Sequence, residues 1–100
     1  MPHKRPIIFA ESAFRDLEDI QAWYPKQQAP SVGDRLVGET IVQIGRLADF
    51  PESGRIVPEF GIARLREIVY PSFRIVYRLD GNKVKIIRVW RSERLLTMPL

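Results

Sequence analysis

Arginine sets the chemistry of residues 64–91. The run RLREIVYPSFRIVYRLDGNKVKIIRVWR places Arg64, Arg66, Arg74, Arg78, Arg88 and Arg91 on or beside three β-rich segments. A guanidinium group offers a rigid fork of donors that matches carboxylate or phosphate oxygens, and it is costly to bury unpaired. A strand face carrying several of them is expected to meet water or an acidic partner. Companions for proton transfer are scarce. The chain has one histidine, His3, near the N-terminus, and no cysteine. A serine nucleophile would have only that terminal histidine as its base, and disulfides and thiolate metal sites are excluded. No glycine-rich phosphate loop follows a strand, and no cluster of His, Asp and Glu has metal-ligand spacing. A general base would have to be Glu59, Glu67, or a tyrosine or lysine of lowered pKa. Glu11, Asp16, Glu18 and Asp19 read as the solvated face of a helix.

The elements that must position these groups follow from pattern. Residues 6–9 (PIIF) read as a short strand. A helix is expected from Glu11 and Ser12, with Phe14, Leu17, Ile20 and Trp23 or Tyr24 as its apolar stripe, ending at Pro25. Ser31 reads as the N-cap of a second helix over about 32–48, with Leu36, Val37, Thr40, Ile41, Ile44, Leu47 and Ala48 on its packed face. Gly38 and Gly45 cost that helix about 1 kcal/mol each relative to alanine, which suggests close packing there. The two helices form an antiparallel hairpin. Residues 50–55 read as a loop, and Ile56 and Val57 as a short strand. Three strands follow over about 63–69, 73–79 and 83–90, with Tyr70-Pro71-Ser72 and Asp80-Gly81-Asn82 as the joins. The predicted class is α+β: a strand, a helical hairpin, then an antiparallel meander, with both helices on one sheet face.

Alternation assigns faces to the strands. Phe73, Ile75 and Tyr77 point one way, and Arg74, Val76 and Arg78 the other. Leu65, Glu67 and Val69 alternate with Arg64, Arg66 and Ile68. The last strand is mixed, with Val84, Ile86, Arg88 and Trp90 alternating with Lys85, Ile87, Val89 and Arg91. The expectation is one sheet face packed by helices and one open face bearing arginines. The alternative is that these arginines solubilise that face or pair with Glu67, Asp80 and Glu93.

One hundred residues, 45% of them apolar, suit a single domain over 1–100. A net charge of +4 and a pI near 9.9 favour nucleic acid, acidic proteins or anionic surfaces as partners. No apolar segment is long enough for a signal peptide or a bilayer span, so a cytoplasmic protein without a membrane partner is expected.

The ordered set Phe50-Pro51, Gly54-Arg55, Leu65-Arg66, the run Phe73-Arg74-Ile75-Val76-Tyr77-Arg78 and the closing Ile87-Arg88-Val89 with Arg94 resembles the RelE/ParE toxin superfamily over about residues 6–95. That resemblance implies the toxic half of a bacterial toxin–antitoxin operon, of the plasmid-stabilisation type, held by a small acidic antitoxin that folds on binding. It implies no cofactor. Trp23, Tyr24, Leu95, Leu96 and Met98 are the candidate antitoxin contacts, and a toxin–antitoxin hetero-oligomer is expected. Two activities exist in the superfamily: RelE-like members cut messenger RNA on the ribosome, and ParE-like members poison DNA gyrase.

Residue types weigh one against the other. If the chain were a ribonuclease, Arg74, Arg94 and Glu67 would be its catalytic set. RelE-type members carry lysines near the start of the meander, where this chain has Leu65 and Glu67, and many carry a terminal tyrosine or histidine that 92–100 lacks. The ParE-like reading is favoured, although Arg91 stands where that pattern often has histidine. Its target-binding basic surface would be Arg64, Arg66, Arg74, Arg78, Arg91 and Arg94. The alternatives are a RelE-like interferase and a non-toxic relative retained for antitoxin binding.

Overall fold

The structure is a computed structural model that describes residues 4–26, 30–70 and 73–91. Its elements in chain order are β1 (Ile7–Phe9), α1 (Glu11–Lys26), α2 (Pro30–Gly45), a 3-10 turn (Arg46–Ala48), β2 (Arg55–Ile56), β3 (Leu65–Tyr70), β4 (Phe73–Asp80) and β5 (Lys83–Arg91). The five strands form one sheet in the order β1-β5-β4-β3-β2. β1 runs parallel to β5, which requires a crossover, and the α1–α2 hairpin lies within that connection. The remaining pairs are antiparallel. This is the expected α+β architecture.

The β4–β5 hairpin closes through Gly81-Asn82, since Asp80 pairs with Lys83. Gly81 has φ +58°, a left-handed conformation that glycine adopts without steric cost. The main core lies between the hairpin and one sheet face. It joins Ala13 and Ile20 of α1, Leu36 and Ile44 of α2 and Leu47 to Phe73, Ile75 and Tyr77 of β4 and Val84, Ile86 and Val89 of β5. Fully burying a side chain such as Phe73 or Ile86 contributes about 1.5–3 kcal/mol. A smaller cluster on the opposite face holds Val57, Leu65 and Val76, with Phe60 and Ile87 against it. The 57–62 segment therefore covers part of the face that strand alternation left open.

Several local expectations are corrected. α1 continues through Pro25 to Lys26. α2 begins at Pro30, so Ser31 lies inside it instead of capping it; proline suits a first helical turn because its missing N–H would have no intrahelical acceptor there. The buried stripe of α1 runs through Ala13, Asp16 and Ile20, whereas Phe14 is 58% exposed. Ile41 is also exposed. A Cβ at Gly38 or Gly45 would meet nothing within 4 Å, so close packing does not explain either glycine.

The mixed pattern of β5 has a specific cause. Val76 pairs with Arg88 and Tyr77 with Ile86, so Ile87 is an extra residue at a bulge. One inserted residue reverses the alternation beyond it. Val84 and Ile86 before the bulge, and Val89 after it, thereby reach the same core.

Candidate functional site

The sheet's arginines are placed on strands whose register pairs them with acids. β4 is the central strand, and Arg74 sits near its start, opposite Val69 of β3 and Trp90 of β5. Two residues along β3 from Val69, on the same face, is Glu67. Its side chain is fully buried. Arg74 donates to Glu67 Oε1 from Nε (3.1 Å) and Nη2 (2.5 Å). Arg55 donates from Nε to Oε2 at 2.7 Å, across the two-residue pairing of β2 with β3. Arg74 Nη2 also reaches Glu59 at 3.4 Å. A buried carboxylate held by two guanidiniums is stable only when both oxygens are satisfied, and here they are.

The Arg74 side chain is only 14% exposed. Its burial disfavours the charged form, but the hydrogen bonds and charge of Glu67, with a smaller part from Glu59, outweigh that and raise its pKa above the ordinary value. Arg74 is thus a permanent cation committed to internal acids. Glu67 has no exposed oxygen to offer a substrate.

A second network rests on Tyr77. Its hydroxyl accepts the Gly54 N–H at 2.9 Å and donates to the Pro51 carbonyl at 2.8 Å, tying the 51–54 loop to β4. A Cβ at Gly54 would lie 2.6 Å from that hydroxyl and 2.7 Å from the Glu67 carbonyl oxygen, so only glycine fits. Arg66 donates to the Gly54 carbonyl at 3.1 Å, to Glu52 and to Ala63. Its strand partner is Tyr77, so Arg66 stands on the face opposite Arg74.

The third network joins α1 to β5. Asp16 is buried and accepts two bonds from Arg88 (2.8 and 2.9 Å) and the Val89 N–H at 2.9 Å. The expected solvated run of carboxylates on α1 is therefore corrected at Asp16. No local sequence signal pairs Asp16 with Arg88, which lies 72 residues away.

The candidate basic surface does not form one sheet face. Arg74 pairs with Glu67 and Glu59, and Arg78 pairs with Asp80 at 2.6 Å. Arg66 points to the 51–54 loop, Arg64 is exposed ahead of β3, and Arg91 stacks over the Trp23 ring at 4.4 Å. The alternative reading, arginines pairing with Glu67 and Asp80, describes Arg74 and Arg78. Of the candidate antitoxin contacts, Trp23 is 39% exposed on α1. Tyr24 also lies on α1, but its side chain is outside the described residues, as are Arg94, Glu93, Leu95, Leu96 and Met98. Among the described residues, no group of three or more His, Cys, Asp or Glu side chains is placed to hold a metal. Likewise, no described helix is long and apolar enough to cross a membrane.

A helical hairpin over one face of a short five-stranded sheet is the architecture of a class of small bacterial toxins. The fold is similar to that of a chromosomal ParDE toxin–antitoxin system from P. aeruginosa, with a TM-score of 0.76 at 22% identity over 91% of this chain and 99% of that one. It is also similar to the RelBE2 toxin–antitoxin complex of Mycobacterium tuberculosis (TM-score 0.64, 22% identity, 88% of this chain, 98% of that one). The E. coli DinJ-YafQ toxin-antitoxin complex is more distant (TM-score 0.55, 14% identity, 93% and 98%). No curated protein sequence matches the chain. The family model for the ParE toxin of the type II toxin-antitoxin system, parDE, matches residues 7–96. The chain belongs to this ParE toxin family.

Proposed function

We propose that this toxin acts by binding DNA gyrase, performs no chemistry of its own, and is neutralised by a cognate acidic antitoxin. The observation that carries the reading is the Arg55–Glu67–Arg74 network. A phosphate-cleaving site needs cations that converge on a substrate and an acid or base within hydrogen-bond reach of it. Here the central arginine and the nearby carboxylate bond to each other. Membership in the ParE family points the same way. The solved relatives are described as toxin–antitoxin systems or complexes, which supports an antitoxin partner for this chain. Trp23 with Tyr24, and Leu95, Leu96 and Met98, are the proposed antitoxin contacts, and the exposed basic residues, Arg64 first, are the proposed gyrase contacts.

The test adds the purified chain to a gyrase supercoiling assay and, in parallel, to a translation extract. Loss of supercoiling with intact messages is expected. Unchanged supercoiling, together with messages cut by the wild-type chain and spared by Arg74→Ala, would replace this reading with the interferase.

A further inference from the structure

A cavity of about 190 Å³ lies apart from the Glu67 network, lined by Asp19, Ile20 and Trp23 of α1 and by Val89, Trp90 and Arg91 of β5, with Asp16 also on its wall. An apolar cavity of about 150 Å³ accepts a benzene ring, so this one suits a single apolar side chain. Its walls are braced. Arg88 lies over the Trp90 ring at 4.5 Å, and Arg91 lies over Trp23 at 4.4 Å.

Trp90 is 5% exposed, and its indole N–H has no hydrogen-bond acceptor. Buried donors are nearly always paired, so an orphaned one at a cavity wall calls for an incoming acceptor. Asp16 cannot serve, since its oxygens take Arg88 and the Val89 N–H. An acceptor beside an apolar group is the chemistry of a peptide: a side chain to fill the cavity and a main-chain carbonyl next to it. Asp16 and Asp19 at the wall repel the phosphates of a nucleic acid, whereas Arg91 at the rim favours a flanking Asp or Glu.

We propose that this cavity is an anchor pocket for the antitoxin. It takes one apolar side chain of an acidic segment whose main-chain carbonyl accepts the Trp90 indole N–H. The inference rests on the toxin–antitoxin reading and names where the partner is gripped.

The test selects binders from a displayed library of random dodecapeptides on the immobilised full chain, then follows the indole N–H signals by NMR. Selected peptides should carry an apolar residue flanked by Asp or Glu, and should shift the Trp90 indole N–H. Trp90→Phe keeps the ring but removes the donor, and should weaken them about tenfold, the effect of one hydrogen bond. Arg91→Glu, a rim variant that spares the buried wall, should abolish the acidic preference. Peptides that leave the Trp90 signal in place, or bind Trp90→Phe equally well, would overturn the proposal. So would an oligothymidylate that shifts this signal when peptides do not. A chain that inhibits gyrase while no peptide enters the cavity would sink this inference alone. Peptide capture without gyrase inhibition would sink only the target assignment.

Discussion

Glu67 is the residue on which most depends. It is buried, and it is shared by Arg55 and Arg74. Glu67→Ala should destabilise the fold by about 3–5 kcal/mol, because it leaves Arg74 mostly buried without its main partner. Urea denaturation measures this. Replacing Glu67 and Arg74 together by apolar residues of similar volume should recover most of the loss, since a buried ion pair adds little over well-packed apolar groups. If the single variant were as stable as the wild type, the network would not be structural. Tyr77 supplies a second check. Burial raises its pKa above the ordinary 10.0, and the Gly54 N–H and Arg66 only partly oppose that. A raised folded-state value means that the unfolded chain loses its proton first. The stabilising contribution is complete below pH 10 and falls as pH rises beyond it. Tyr77→Phe should cost about 1–3 kcal/mol by orphaning the Gly54 N–H and the Pro51 carbonyl, and should flatten the alkaline decline in stability. Denaturation at a series of pH values from 8 to 11 shows both effects. Sequence gave Glu67 and Arg74 as site candidates but not their mutual bond, since Glu67 and Arg74 meet only once β3 and β4 are in register. Asp16 was less legible still, because its partner lies on the last strand.

At the scale of elements, the meander was readable because its turns and period-two strands are local signals. Both helices were also readable from their spacing. The errors came from shifts of one residue. Moving the stripe of α1 from Phe14 to Ala13 rotates it by about 100°, and composition alone does not decide between them. The bulge at Ile87 was visible only as a confused alternation in β5, since a pairing irregularity belongs to two strands at once. Gly38 offers a prediction of this kind. It sits exposed inside α2 with open space around the missing Cβ. Gly38→Ala should raise stability by about 1 kcal/mol through helix propensity alone. A loss of stability in thermal or urea unfolding would mean that the helix is held by packing not seen at this position.

For the whole molecule, the excess positive charge does not collect into one open arginine face. Much of it is spent within the fold: Arg55 and Arg74 fix the β2 edge to the sheet centre, and Arg88 clamps α1 to β5. What remains outside is a modest basic exterior with apolar side chains such as Phe14, Trp23 and Val42 exposed on the hairpin. Such a surface suits binding to proteins, and protein association steered by charge should slow as salt rises. The central claim is that the toxin grips its target and does not turn over. The most direct measurement titrates a fixed amount of gyrase with the purified chain and follows supercoiling to completion. A tight binder inhibits in proportion to the amount added, reaching a plateau near molar equivalence and leaving messenger RNA whole. Progressive loss of intact message from a small fraction of an equivalent, with gyrase unaffected, would contradict the account.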